Sequence, residues 1–594
     1  MSTADRVEYD ILLIGGSPSN LALAHQLVDK AKASGLSFSM AILEKGKTFG
    51  AHIVSGAVVK PGVIQELFPD WEERKFPIES VCTESRLALL GSEKRWEPTN
   101  ALLPPGFVKT GYWVLTLSHV VNWMVNRLQE KLAETPNVTM DFFPGFAAHK
   151  VVFEGEGPEA RVAGVQVLPD AEIPEDESPE LHQIFGKVVC FGDKGFVSRE
   201  VLDKFALRDN PQLWSVGVKE VWQLPEGKGQ EGNVWHTMGF PLTDGSFGGG
   251  FIYGMKNNRL TIGMVISLDS ENPNINPQQR LQDLKKHPWV QSIIDGGTLL
   301  HYGAAILPEG GYYSLPKQFQ VNGALLLGDA LGVLEITSLA GVDRAMACGM
   351  YAAEVLHTAL EKGDFSADTL KPYQTKVMSS FVGQSLKQSR YFRKAWQENP
   401  RLMRDYLPTV LEGVDAGAPI AGLISVGLKN NPFQALGDAL RLKTLMDGNT
   451  DIGPVSYKPD YAHIVPNFSA KPIRYNEADR GLRNTPGKNT IYSREDAVFY
   501  ANTKYHEHNA HIDEFNADVC LSCIRTYDGL GKDTPCVSDC TAEVHRVDVV
   551  DSLRKHGMSL ENCVQCRTCE IVCPEVNLRV HAASQGSGPD FTGL

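Results

Sequence analysis

Short apolar runs that stop at glycine-rich turns set the outline of this 594-residue chain. Residues 9–14 are nearly all apolar and end at Gly15-Gly16-Ser17-Pro18-Ser19-Asn20. Leu21, Ala22, Leu23, Ala24 and Leu27 follow in helical spacing, which predicts strand, tight turn, helix. A second strand over 38–43 ends at Glu44. A third, after Gly323, ends at Gly328-Asp329, with Gly332 beyond it and a helix from about Gly341 carrying Ala345, Ala347, Ala352, Ala353 and Leu356. Alternating runs between 217 and 267, such as 250–253 and 260–266, predict a mixed sheet. The stretch 448–490, rich in proline, asparagine and glycine, predicts a surface linker, and the acidic run 169–180 an exposed loop.

The first turn suits a dinucleotide, because small residues let backbone N–H groups and a helix N-terminus approach a pyrophosphate. Only the first glycine of Gly-x-Gly-x-x-Gly is kept. Ser17 can offer a hydroxyl to phosphate, whereas Asn20 is expected to loosen the contact that a third glycine would allow. Glu44 stands where an acid takes ribose hydroxyls. The distant Asp329 supplies a second nucleotide element, which a flavin needs for its ribityl chain and a nicotinamide does not.

A net charge of −14 argues against a nucleic-acid surface. The polar start leads straight into a strand with no basic apolar leader, so an intracellular protein is expected. No run of eighteen apolar residues predicts a spanning helix. The uncharged segment between Lys109 and Arg127, with Trp113 and Trp123, either dips into one leaflet or is a buried helix. Residues 413–447 carry Lys429, Asp438, Arg441 and Lys443 and read as more polar than a membrane-facing segment requires.

Eight of the eleven cysteines fall in two runs, Cys520-x2-Cys523-x12-Cys536-x3-Cys540 and Cys563-x2-Cys566-x2-Cys569-x3-Cys573-Pro574. The second run has bacterial ferredoxin spacing, in which the fourth thiolate crosses to the other cluster. The expected sets are Cys520, Cys523, Cys536 and Cys573 for one [4Fe-4S] cluster, and Cys540, Cys563, Cys566 and Cys569 for the other. Zinc favours pairs separated by a longer loop, and disulfides need an oxidising compartment. His506, His508 and His511 are expected to be surface or hinge residues, and Cys82, Cys190 and Cys348 buried fillers.

Leu43-Glu-Lys45, Gly50-Ala-His52, Ser55-Gly-Ala57, Gly217-x-Lys-Glu-x-Trp222, His236-Thr-x-Gly-x-Pro241, Gly248-Gly249 and Asn562-Cys-x-x-Cys-x-x-Cys569 together resemble the electron-transfer flavoprotein:quinone oxidoreductase family. The resemblance implies an α/β (α+β overall) fold. An FAD-binding Rossmann-like domain of the glutathione-reductase/hydroxybenzoate-hydroxylase type would span 1–205 and 301–365, with an inserted mixed-sheet domain at 206–300. A helical region at 366–447, a linker at 448–490 and a ferredoxin-like iron-sulfur domain at 491–594 would follow. FAD would lie on Gly15, Gly16, Ser17, Pro18, Ser19, Asn20, Glu44, Lys45, Gly50, His52, Ser55, Gly56, Gly328, Asp329 and Gly341, and the quinone on Gly248 and Gly249. The family carries one cluster, matching Cys540, Cys563, Cys566 and Cys569, so the other four thiols look like an addition. The implied activity passes electrons from reduced electron-transfer flavoprotein through clusters and FAD to a membrane quinone, from a peripheral, monotopic position on the cytoplasmic side. Two other activities fit the residues: a ferredoxin-linked reductase of isoprenoid double bonds, and a non-catalytic electron-carrier subunit.

Overall fold

The computed structural model describes residues 7–103, 105–168, 182–469, 490–505, 511–550, 553–583 and 586–594. The expected acidic loop at 169–180, and His506 and His508, lie outside them. The chain builds a mixed α/β molecule around two large sheets. In the first, strands Ala324–Leu326, His182–Phe191, Val7–Ile14, Phe38–Glu44 and Val138–Pro144 run parallel in that spatial order. A parallel sheet is covered on both faces, which is why Ile11, Leu12 and Leu13 are all fully buried rather than alternating with polar residues. Helices Pro18–Ser34 and Val342–Lys362 pack on each other over this sheet. Gly349 makes their contact close, since a Cβ there would stand 2.0 Å from the Ser19 carbonyl oxygen.

The second sheet runs Thr298–Pro308, Trp214–Gln223, Arg259–Ser267, Gly248–Met255, Asn233–Gly239, Glu84–Leu90 and Arg95–Trp96. It is antiparallel except where Asn233–Gly239 meets Glu84–Leu90. Four of its strands come from 206–300, but two arise before residue 206 and one runs to Pro308, so the sheet is wider than a single inserted segment. On strand Trp214–Gln223 alternate residues divide the labour. Gly217 and Lys219 face a cavity, while Glu220 points to helix Pro277–Lys285.

The segment between Lys109 and Arg127 is interior rather than membrane-facing. Trp113 is buried in a short strand, and Val120, Val121 and Met124 on helix Leu117–Ala133 are fully buried in the first core. The apolar surface lies instead on helices Pro419–Lys429 and Pro432–Asp447, which expose Ile420, Ile424, Leu428, Phe433, Leu436 and Leu440. Three of the four charges that made this region read as polar are paired: Lys429 with Glu412, Asp438 with Arg401, Arg441 with Glu398. Among the described residues no helix is long and apolar enough to cross a membrane. The described part of the linker is tucked in, with Val455 and Tyr457 buried beside Tyr391.

The Glu220–Lys285 pair fixes helix Pro277–Lys285 to the second sheet. Both side chains are fully buried, the ammonium lies 2.8 Å from the carboxylate, and Trp222 and Gln282 also donate to it. Lys285→Met leaves that carboxylate without its counter-ion. It is expected to cost about 3–5 kcal/mol, read as a lower urea midpoint at unchanged slope.

Candidate functional site

The turn after strand Val7–Ile14 is built for close approach. Gly15 sits at φ +91°, and a Cβ on Gly16 would meet the Phe49 ring at 2.5 Å and the Glu44 carboxylate at 3.0 Å. Ser17 caps helix Pro18–Ser34 by accepting from the Asn20 N–H. Asn20 does not loosen the contact, as its type suggested. Fully buried, it donates through Nδ2 to the carbonyls of Ile14 and Gly15, both at 2.9 Å, and so staples the helix to the strand end. Glu44 accepts from the N–H groups of Gly16 at 2.9 Å and Gly46 at 2.7 Å. Burial raises its carboxyl above the usual range, opposed by those two bonds.

These residues open onto a cavity of about 290 Å³. Gly15, Gly16, Ser17, Pro18, Ser19, Glu44, Lys45, His52, Ser55, Gly56, Gly328, Asp329 and Gly341 line it. Gly50 and Asn20 do not; Gly50 shapes the wall from behind, at φ +87° against the Ser118 backbone. The wall also holds Lys194 and Phe196, residues 304–307 and Val564 to Arg567, none of which a nucleotide motif announces. The residues fit a dinucleotide with an extended ring system. A glycine turn and helix start face one end, and a second glycine–aspartate turn lies along the chamber. The far wall is strand Thr298–Pro308 with the Cys566 loop. Lys45, whose ammonium burial lowers to about 8, bonds Gln565 at 2.6 Å and ties the nucleotide turn to that loop.

The eight clustered cysteines gather as two sets. Helix Ala517–Asp528 carries Cys520 and Cys523. With Cys536 and Cys573 they line one small cavity, closed by Ile524, Pro535 and Asn577. Cys540, Cys563, Cys566 and Cys569 are all buried and act on one another electrostatically, and Cys569 also feels Cys536, so the two sets adjoin. All are free thiols, which removes the disulfide reading. The 563–569 loop turns back on itself through left-handed residues, Gln565 at φ +52° and Arg567 at φ +67°. Donors converge on the sulfurs: Asn577 Nδ2 on Cys520 at 3.1 Å, and the N–H groups of Asn577 on Cys573, Val544 on Cys540 and Gln565 on Cys563 at 3.2–3.3 Å. Burial pushes the thiols of Cys520 and Cys523 up to about 12, so they stay protonated unless a bound cation compensates their charge. Such donors suit cluster sulfurs, whose potential they tune.

His556 approaches Cys520 and Cys536 in two mixed groupings with Glu514 or His545. Both its ring nitrogens are engaged, Nδ1 with Glu514 at 2.5 Å and Nε2 with His545 at 2.9 Å, so it supports the site rather than ligating an ion. His511 is buried and stacked on Tyr505 at 4.7 Å, not at the surface. Cys82, Cys190 and Cys348 are buried, as expected of fillers.

A second cavity, about 320 Å³ and largely apolar, lies against Gly248, Gly249 and Gly250. It shares Val54, Gly56, Ala305, Leu307, Leu334 and Leu339 with the first, so the two are contiguous. Its other walls include Phe392, Trp396 and Met446, the last on the helix whose outer face exposes Phe433 and Leu440. Gly16→Val drives a side chain into Phe49 and Glu44 and closes the first cavity's floor. The variant is expected to emerge from desalting without flavin absorbance, while the wild type keeps it.

Residues 214–307 match the family model described as ETF-QO, ubiquinone-binding. The chain is 28% identical over 600 residues to the electron transfer flavoprotein-ubiquinone oxidoreductase of Pseudomonas aeruginosa, covering 99% of both chains. It is 29% identical to a probable enzyme of the same name from Acinetobacter baylyi, covering 100% of both. With the human mitochondrial protein of that name identity is 28%, over 99% of this chain and 89% of that one. Among solved structures, a geranylgeranyl bacteriochlorophyll reductase-like protein from Thermoplasma acidophilum shares the fold, with TM-score 0.51 and 16% identity over 74% of this chain and 100% of that one. From nucleotide turn to cysteine loop, this chain is similar to the electron transfer flavoprotein-ubiquinone oxidoreductases.

Proposed function

We propose that this chain takes electrons from a reduced electron-transfer flavoprotein and delivers them to a membrane quinone. The observation that carries this reading is the pair of contiguous cavities. One is walled by Cys566, and the other is floored by Gly248 to Gly250 and reaches Met446 beneath exposed apolar helices. FAD in the first cavity and [4Fe-4S] clusters on the two thiol sets would supply one-electron and two-electron capacity.

The chain's own residues provide the rest. The glycine floor lets a flat ring lie against backbone, and Phe251 stacked on Tyr253 at 5.0 Å gives a rigid aromatic wall. The sulfur-directed N–H groups favour added negative charge on the clusters. Cys520, Cys523 and Cys536 are half-buried, whereas Cys540, Cys563, Cys566 and Cys569 are buried beside the nucleotide cavity. This order supports reading the extra cluster as an extension of the relay toward the protein partner. The exposed apolar helices serve as a monotopic landing face from which quinone enters past Trp396 and Met446. Eleven free cysteines suit a reducing compartment, and the landing face belongs on the cytoplasmic side of the membrane.

Two measurements test these assignments. Anaerobic purified protein is expected to hold about eight iron atoms per chain and one flavin. Cys523→Ser is expected to lower the iron to about four while keeping the flavin and one paramagnetic cluster signal. Four iron atoms in the wild type would remove the second cluster. In stopped flow, reduced electron-transfer flavoprotein should bleach the clusters, and a soluble quinone should then reoxidise the protein. Turnover of an isoprenoid alkene without quinone would favour the reductase alternative, and reducible centres without turnover a carrier subunit.

A further inference from the structure

Reducing a quinone to a quinol takes two protons as well as two electrons, and the glycine-floored cavity is mostly apolar. Lys219 is the one lysine or arginine among the residues that line it. Its side chain is 3% exposed, and among the described residues its ammonium has no hydrogen-bond partner. A buried ammonium without an acceptor is costly, and an oxygen atom in the cavity would satisfy it.

A ladder of polar groups leads from Lys219 toward water. Glu79, 2% exposed, lies near enough to act on Lys219 electrostatically and is bonded by Arg259 at 2.5 Å. His119 Nδ1 stands 3.4 Å from the same carboxylate, on helix Leu117–Ala133, with its side chain 38% exposed. His301 and Asp590 complete the charged surroundings. Burial holds Lys219 down to about 7, with Glu79 opposing the shift and Arg259 adding to it.

Of the cavity's other polar side chains, His236 and Tyr253 are poorly suited to move protons. They share a hydrogen bond at 2.9 Å; burial, with Lys109 beyond, lowers the imidazole to about 3, and burial raises the Tyr253 hydroxyl far above its ordinary range. Glu309, whose carboxyl burial raises, accepts from the Ser215 hydroxyl and faces Arg393, and so is tied to that buried group rather than to a path to water.

We propose that Lys219 protonates the quinone oxygen as electrons arrive, and that Glu79 and His119 return the proton from solvent. For each electron accepted, one N–H bond at Lys219 Nζ breaks and one O–H bond forms on the quinone. The resulting amine recovers a proton that His119 takes from water and passes across the Glu79 carboxylate. That carboxylate is ionised at rest, because burial is outweighed by the His119 and Arg259 contacts, which hold its carboxyl below the usual range. Two rounds turn quinone, two electrons and two protons into quinol. The inference rests on quinone reduction at this cavity.

The test compares the holoenzyme's turnover with a soluble quinone and with ferricyanide, which takes electrons without protons. Lys219→Met is expected to lower the turnover number for quinol formation roughly 100-fold or more, with KM little changed and ferricyanide reduction kept. In the wild type, quinol formation should fall as pH rises through about 7, where the ammonium becomes an amine, and ferricyanide reduction should not follow. His119→Ala, at the surface, should slow quinol formation and be restored by added imidazole. Equal loss with both acceptors in Lys219→Met, a wild-type pH profile that does not fall, or failure of imidazole to restore His119→Ala would overturn the proposal. Wild-type protein that reduces no quinone would instead refute the reading on which it rests.

Discussion

An edge strand has to be covered, and here the cover is the cysteine loop. Strand Thr298–Pro308 lies at the open side of the seven-stranded sheet, where unpaired N–H and carbonyl groups would otherwise recruit another chain. The Ile306 N–H donates to the Cys566 carbonyl at 3.3 Å, and the Tyr302 hydroxyl donates to the Thr541 carbonyl at 2.5 Å. The same strand gives residues 304–307 to the wall of the nucleotide cavity. Satisfying the edge and setting Cys566 beside that cavity are therefore one contact. Arg567 braces it through Glu570, which also holds Arg199 at 2.6 Å.

Around this contact the two sheets divide the work. The parallel sheet and its glycine turn offer backbone donors at a helix start. The second sheet offers the opposite: a glycine floor, apolar walls and, among the described residues that line its cavity, one cation without a hydrogen-bond partner. Its outer face is locked by the Glu220–Lys285 pair, so the cavity face need not contribute to holding the sheet in place. This leaves Lys219, the residue before Glu220 and on the opposite face of the strand, available for chemistry.

Much of this was legible in the chain. The strand–turn–helix at 9–27, the Glu44 strand and the Gly328-Asp329 turn are local patterns, and local patterns survive folding. The eight thiols declared themselves by spacing, which also put Cys536 and Cys540, four residues apart, in different sets, and packing brings them into those same groups. Asn20 misled because its residue type predicts a looser turn, while its burial lets one amide bond two carbonyls. The Lys109–Arg127 segment stayed open between core and lipid surface in the sequence because an uncharged run reads alike in both, and packing decides for the core. Lys219 belongs to the Gly217-x-Lys-Glu-x-Trp222 run, but nothing in that run says that its side chain lines a cavity; that is a property of the neighbouring strands and helices packed around it.

Lys429, Asp438 and Arg441 on helices Pro419–Lys429 and Pro432–Asp447 are answered by Glu412, Arg401 and Glu398 elsewhere in the protein, which weakens the net field over the apolar ridge beside them. As the proposed landing face, such a ridge would hold by the area withdrawn from water more than by the sign of lipid headgroups, and so would keep its grip on anionic and zwitterionic leaflets alike and through changes of ionic strength.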